Sequence, residues 1–261
     1  MDLGLSGRVA LVAGATSGLG LAVATALAAE GAHVAICGRR ADVAADQAAG
    51  LATAAAPAIG VALDLTDPQS ISRAVEEVRS QLGEIDVLVL NGGGPPPSDA
   101  ASLRPADGQA AAKVLLDGPV QLVGECLPGM RSRSWGRIVA VGSSAVQQPI
   151  PGLATSSMYR TALASYLKLL SREVAGDGVT VNMVLPGRID TARVGQLDAN
   201  RAHNTGKDID TVRAESQATI PVGRYGTVEE FAAVVAFVCG RPASYVTGAQ
   251  VRVDGGLVNG L

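Results

Sequence analysis

The sequence predicts an α/β fold: a doubly wound, mostly parallel sheet of about seven strands with helices on both faces. Three observations carry that expectation. Short β-type runs alternate with Ala/Leu-rich helical stretches from one end of the 261-residue chain to the other, which implies right-handed crossovers between parallel strands. Strand runs such as Val87-Leu88-Val89-Leu90 are apolar without a break, as suits a sheet covered on both faces. No Pro/Ser-rich linker, composition break or internal repeat divides the chain, so residues 1–261 read as a single domain.

The elements follow in order. Val9–Ala13 is the first strand, wholly aliphatic, and a helix near 18–30 follows it. His33–Cys37 is the second strand, and the Ala-rich stretch near 41–55 is the second helix. Ile59–Leu63 leads into a helix near 68–82, and Asp86–Leu90 into a long helical stretch near 105–132. Arg137–Val141 precedes a helix at 156–176, Val179–Leu185 is the sixth strand, and a helix at 227–239 leads to the last strand, Ala249–Val253.

Two stretches break the alternation. Asn91 to Pro97 reads NGGGPPP, a stiff loop opened by glycines. Residues 192–218 are polar and lie between the sixth strand and the last helix. A substrate lid can close there, and a plain surface excursion is the alternative.

Composition excludes several classes. Hydrophobic residues at 48% and charged residues at 17% rule out disorder. A net charge of −3 favours neither nucleic acid nor an anionic membrane. Aromatic residues at 3% are too few for a base-stacking platform. Cys37, Cys126 and Cys239 lie far apart, and His33 and His203 form no ligand pair, so neither a disulfide framework nor a metal site is expected. Val9 to Ala29 is 21 residues without a charge, long enough to span a bilayer. Gly14, Thr16, Ser17, Gly18 and Gly20 interrupt it, so it reads as strand, turn and helix. No signal peptide pattern opens the chain, and a cytoplasmic protein is expected.

The strongest motif is Ala13-Gly14-Ala15-Thr16-Ser17-Gly18-Leu19-Gly20, after a strand and opening a helix. Small residues there let the backbone turn sharply, approach a pyrophosphate and aim helix N–H groups at it. This is the phosphate-binding arrangement of a Rossmann-type sheet. Twenty-four residues after Gly14 come Gly38-Arg39-Arg40, where the second strand ends. An acidic residue there binds the ribose 2′-hydroxyl of NAD; two arginines suit a 2′-phosphate. NADP(H) is therefore expected over NAD(H), a solvated charge pair being the other reading of Arg39-Arg40.

With these residues in place, the chain resembles the short-chain dehydrogenase/reductase family, and within it the β-ketoacyl-reductase-like branch. The Gly14–Gly20 turn is similar to the family's cofactor loop, with Ala13 where Thr is usual. Asp64 and Leu65, in Leu63-Asp64-Leu65-Thr66-Asp67, resemble its adenine-contacting segment. Asn91-Gly92-Gly93 resembles its Asn-Ala-Gly motif beside the adenine ribose. Gly136-Arg137-Ile138-Val139 and Val141-Gly142-Ser143 resemble the fifth strand and its catalytic serine. Pro186-Gly187-Arg188-Ile189-Asp190-Thr191 resembles the turn that holds the nicotinamide carboxamide. Pro221 to Arg224, Tyr245 to Gly248 and Val253 to Gly256 resemble the C-terminal signature. The resemblance implies a homotetramer, or failing that a dimer, through 105–132, 156–176 and the last strand.

The resemblance fails at the catalytic centre. The family uses Asn, Ser, Tyr and, four residues after the Tyr, Lys. Ser143 fits the Ser. Family spacing then puts Ser156 at the Tyr position, Arg160 at the Lys position and Leu115 at the Asn position. A three-residue shift onto Tyr159 puts Leu163 where Lys belongs, and none of Lys113, Lys168 and Lys207 fills that role in either register. A serine hydroxyl is far less acidic than a phenol, and arginine holds its proton where lysine can relay one. Ser156, Tyr159 and Arg160 share a helix face at i, i+3, i+4, so Tyr159 can serve as a displaced acid or simply pack. Ser156 can contact substrate or merely open the helix; Arg160 can hold the nicotinamide ribose and clamp an oxyanion, or make a surface ion pair.

Three functions remain open on sequence alone. The favoured one is an atypical NADP-dependent oxidoreductase moving a hydride between the nicotinamide and a carbonyl or hydroxyl small molecule, with Ser143, Ser156, Arg160 and Tyr159 as its candidate catalytic residues. The others are an NADP(H)-binding protein without catalysis, and an enzyme of another reaction, such as dehydration, on the same fold. Arg188, Arg193 and Arg201 hint at an acidic substrate.

Overall fold

A computed structural model describes residues 1–260, with the backbone alone at Asp107; Leu261, the last residue of the predicted domain, lies outside the described residues. Seven strands form one sheet in the order β3-β2-β1-β4-β5-β6-β7. They are β1 (Val9–Val12), β2 (His33–Gly38), β3 (Ala58–Ala62), β4 (Val87–Leu90), β5 (Gly136–Val141), β6 (Val179–Pro186) and β7 (Gln250–Val253). All six pairings are parallel. The strand order reverses between β1 and β4, two adjacent parallel strands inside the sheet, and such a switch point is where open α/β sheets bind ligands.

Strand alternation sends side chains into two cores. Leu11, Leu88, Ile138 and Met183 point to one face, against α3 (Pro68–Leu82), α5 (Gly118–Ser132) and α6 (Ala154–Val174). Val12, Val89, Val139 and Val184 point to the other, against α1 (Gly18–Ala29), α2 (Ala41–Leu51) and α9 (Val228–Cys239). Both faces are therefore dry, which accounts for the unbroken apolar runs in β4 and β6. Local signals fix the helix starts. Asp67 accepts from the Gln69 N–H ahead of α3, with Pro68 at the first helical position. Thr227 and Glu230 close a reciprocal capping box on α9.

Two helical expectations change. The stretch 105–132 is not one helix: α4 (Pro105–Ala112) gives way to a π-helical turn at Lys113–Asp117 before α5. Gly118 N–H donates to the Lys113 carbonyl, five residues back, and Pro119 has no N–H with which to resume the ordinary ladder. The polar segment 192–218 is not irregular: it folds into α7 (Ala192–Thr205) and α8 (Ile209–Ala218), separated by Gly206 in the left-handed region. Among the described residues no helix is long and apolar enough to cross a membrane.

Candidate active site

The glycine turn is held from two sides. Gly14 has a φ of 57°, and a Cβ on Gly20 would stand 2.3 Å from the Gly14 carbonyl oxygen, so the turn closes only with glycine at both places. Asn91, at the end of β4, donates its side-chain N–H groups to the carbonyls of Ala13 (3.2 Å) and Gly14 (3.0 Å). Ser17 precedes α1 in extended conformation and makes no side-chain cap, which leaves first-turn N–H groups for an anion. Thr16 packs its methyl against Gly38, which brings the turn onto the end of β2.

From this turn runs a groove of about 680 Å³, lined by Gly14, Arg39, Asp64, Leu65, Gly92 and Leu115 among others. Arg39 and Arg40 are exposed at its rim, and neither makes an ion pair among the described residues. Asp64 is half-buried and accepts from the Thr66 N–H (2.9 Å) and hydroxyl (2.8 Å), while its own N–H donates to Ser70 Oγ. The Thr66 N–H bond is the main cause that holds the Asp64 carboxyl below its usual range; partial burial opposes it, and the Thr66 hydroxyl and Arg39 reinforce it. The carboxylate thus stays ionised beside Arg39. Val114 and Leu65 both crowd Gly92: a Cβ there would stand 3.1 Å from Val114 Cγ1 and 3.4 Å from Leu65 Cδ1.

β5, paired parallel to β4, delivers Gly142 and Ser143 at the same end of the sheet as the groove. Ser143 Oγ accepts from the Ala145 N–H at 3.2 Å, so its own O–H remains free to donate. Ser156 lies buried in the first turn of α6. Arg160, one turn on, donates Nε–H to Ser156 Oγ (3.3 Å) and Nη1–H to the carbonyls of Val141 (2.8 Å) and Gly142 (3.2 Å). No carboxylate pairs with it among the described residues. Burial pushes its pKa down to about 10, which leaves it a cation at neutral pH. Ser156, Arg160 and the backbone leading into Ser143 are therefore one connected cluster. Leu115, buried in the π-helical turn, adds no polar group to it. Tyr159 faces α4: a Cβ on Gly108 would stand 2.8 Å from its hydroxyl oxygen.

The turn after β6, the strand paired to β5, comes next along this end of the sheet. Gly187 N–H donates to the Val253 carbonyl, Ile189 is buried beside Gly226, and Thr191 caps α7 by accepting from the Val194 N–H. Asp198 on α7 is fully buried and accepts from Arg188 Nη1 (2.6 Å) and the Tyr225 hydroxyl (2.9 Å). Arg213 donates to both Asp190 oxygens at 3.2 Å and lies over the Tyr225 ring. Arg193, at the start of α7, reaches across to the Pro95 carbonyl at 2.8 Å. These contacts fasten α7 and α8 to the loop after β4 and the turn after β6. Asp198, Tyr225 and the Asn91 side chain are site components that sequence reasoning missed. Asp198 sits in a polar run with nothing to mark it as buried, and the Asn91 motif points to the adenine ribose without marking the side-chain bonds to Ala13 and Gly14. Among the described residues no group of His, Cys, Asp or Glu side chains is placed to hold a metal ion.

Comparison with known proteins agrees with this geometry. The family described as enoyl-(acyl carrier protein) reductase matches residues 14–258. The chain is 33% identical over 255 residues to the 3-oxoacyl-(acyl-carrier-protein) reductase FabG of Salmonella typhimurium, covering 98% of this chain and 99% of that one. It is 32% identical over 268 residues to the uncharacterized oxidoreductase YvrD of Bacillus subtilis, covering 100% of both. The crystal structure of L-sorbose reductase from Gluconobacter frateurii, complexed with NADPH and L-sorbose, superposes with a TM-score of 0.94 at 31% identity over 100% of both chains.

Proposed function

The chain belongs to the short-chain dehydrogenase/reductase family, and from that premise we propose that it is an NADP-dependent oxidoreductase acting on a carbonyl or hydroxyl small molecule through a serine–arginine centre. The observation that carries the reading is that adjacent parallel strands gather the parts at one end of the sheet. The glycine turn follows β1, the groove rimmed by Arg39 and Arg40 runs past the end of β4, and Arg160 ties Ser156 to the end of β5 just before Ser143. FabG and L-sorbose reductase, the latter solved with NADPH, support the same class.

The residues present fit the cofactor. The Gly14–Gly20 cradle and the open first turn of α1 would hold the pyrophosphate. Arg39 and Arg40 would bind the 2′-phosphate, and Asp64, Leu65, Gly92 and Gly93 would hold the adenosine. Pro186, Gly187, Ile189 and Thr191 would hold the carboxamide, and Arg160 the ribose beside it. NADPH supplies the hydride when bound.

The chain's own residues then position and polarise. Ser143 donates its free O–H to the substrate oxygen, and Ser156 donates from the first turn of α6. Arg160 holds Ser156 in place and adds a fixed positive charge to the negative charge that develops on that oxygen. Neither serine nor arginine is a proton store near neutrality, so the proton comes from water. Tyr159 is the rival source, if its ring leaves Gly108. We place self-association, as a cytoplasmic homotetramer or failing that a dimer, on α5, α6 and the free edge of β7. Leu169 on α6 is 62% exposed there.

NADPH oxidation with a panel of ketones and quinones tests the function. Turnover with NADPH that falls at least tenfold in Ser143→Ala supports it; tight NADPH binding with no turnover on any carbonyl would instead make the chain a binding protein.

A further inference from the structure

The lid region carries Arg193, Arg201 and Arg213, with Arg188 just before it, and the structure sorts these four by partner. Arg188 is taken up by buried Asp198. Arg201 pairs with Glu215 at 3.1 Å and also reaches Ser216. Arg213 grips both oxygens of Asp190. Each of these charges is already neutralised by a carboxylate of this chain. Arg193 is different: it is exposed, and among the described residues it has no carboxylate partner, only one N–H to the Pro95 carbonyl. Four of its five donors are left over.

Its position decides what those donors face. Gly93, Gly94 and Pro95 line the cofactor groove, and a Cβ on Gly94 would stand 3.5 Å from Arg193 Nη2. The same loop continues to Ser98, which hydrogen-bonds Thr155 at 2.7 Å and accepts from the Ala154 N–H. It therefore ends on the first turn of α6, next to Ser156. Arg193 lands on the middle of this loop, between its groove-lining glycines and its attachment to the start of α6. A guanidinium there can exchange a single bond to a neutral carbonyl for a paired, charge-assisted fork onto a carboxylate. The exchange requires no buried ion pair to break.

We propose that Arg193 is the anchor for a carboxylate on the substrate, so that the protein reduces an oxo acid in preference to the matching neutral carbonyl. The inference rests on the oxidoreductase reading and names the substrate class of the same cleft. Arg193 binds and orients; it takes no part in proton or hydride movement.

The test compares 2-oxobutanoate, 3-oxobutanoate and 4-oxopentanoate with their methyl esters, following NADPH oxidation by the wild type, Arg193→Gln, Arg193→Lys and Arg201→Gln. The expected result is a kcat/KM ratio of acid to ester of about tenfold or more for at least one pair in the wild type. That ratio collapses in Arg193→Gln, is partly kept in Arg193→Lys and is unchanged in Arg201→Gln, whose charge Glu215 already answers. Equal kcat/KM for acid and ester in the wild type overturns the anchor, as does an equal loss in Arg193→Gln and Arg201→Gln. Absence of turnover with every acid and ester counts against the oxidoreductase reading instead. The anchor is then judged by calorimetric binding of the three acids, with and without NADPH. Binding lost in Arg193→Gln but kept in Arg201→Gln supports it; no binding, or binding that Arg193→Gln leaves intact, overturns it.

Discussion

Arg160 Nη1 donates to the carbonyl of Val141 at 2.8 Å, so a guanidinium on α6 grips the last residue of β5, two positions before Ser143. The same nitrogen bonds the Gly142 carbonyl, and Nε bonds Ser156. An ammonium can make such bonds, but it cannot spread them over a rigid plane that reaches strand and helix at once. Arg160→Ala should therefore lower kcat by roughly a hundredfold or more, the size of effect seen when an oxyanion-stabilising donor is removed. Arg160→Lys should not restore full turnover. Unchanged NADPH affinity and turnover in Arg160→Ala would reduce Arg160 to a structural tie.

The pH dependence follows from the same burial. The Arg160 pKa is pushed down to about 10. A cation with a lowered folded-state pKa holds fewer protons folded than unfolded between the two values, so stability rises with pH across that interval, and the burial penalty applies in full below about 10. Between about pH 6 and 9 the charge is constant, and kcat should be flat there, with loss of activity only as pH nears 10. An ionisation near neutrality in the pH–kcat profile of the wild type would mean that another group supplies the proton.

Cofactor choice should follow from Arg39. It is exposed at the groove rim without an ion pair among the described residues, and the Asp64 carboxylate lies near enough to feel it. NADPH should bind more tightly than NADH by on the order of 1–3 kcal/mol, the range of a charge-assisted hydrogen bond. Arg39→Asp should move the preference toward NADH. Equal affinity of the unmodified protein for both, measured by fluorescence titration, would remove the assignment.

Much of this site was legible because its parts are local in the chain. The Gly14–Gly20 turn, the Arg39-Arg40 pair and Ser143 each follow a strand directly, and a sheet with one switch point gathers strand ends automatically. What was not legible depends on contacts between distant residues. Asp198 looks like any lid carboxylate, yet its partners Arg188 and Tyr225 lie 10 and 27 residues away. Arg160 marks itself in the sequence only by its spacing from Ser156; its bonds to the Val141 and Gly142 carbonyls, 19 and 18 residues back, are ones that no side-chain pattern records. The π-helical turn at Lys113–Asp117 hides within good helix formers and shows only through the Lys113–Gly118 bond.

Asp198 should prove the clasp that ties α7 to the turn after β6. It is the only carboxylate facing Arg188 and Tyr225 among the described residues, and its side chain is fully buried. Asp198→Ala removes the carboxylate to which both the Arg188 guanidinium and the Tyr225 hydroxyl donate, and leaves Arg188 the long 3.4 Å bond to that hydroxyl. Breaking a buried pair in this way typically costs about 3 kcal/mol, and the partial exposure of Arg188 places this case at or below that figure. A lower Tm and a raised KM, with kcat less affected, are the expected signs. No change in Tm would show that α7 is held elsewhere.

Tyr159 separates the two accounts of the proton. In the structure its hydroxyl stands against Gly108 of α4, away from the bonds that join Arg160, Ser156 and β5. If water supplies the proton, Tyr159→Phe removes only a hydroxyl at a helix contact, and turnover should stay within about twofold of the wild type, as for most substitutions that leave packing volume intact. If Tyr159 is instead a displaced acid, the same change should depress kcat by two orders of magnitude or more, the usual scale of general acid catalysis. Gly108→Ala provides the complementary reading. A methyl at that position meets the Tyr159 hydroxyl at 2.8 Å and forces the ring to move. Turnover that survives Gly108→Ala and Tyr159→Phe alike leaves the centre to Ser143, Ser156 and Arg160. A severe loss in Tyr159→Phe, with NADPH affinity intact, would give Tyr159 the proton and reduce Arg160 to its electrostatic role.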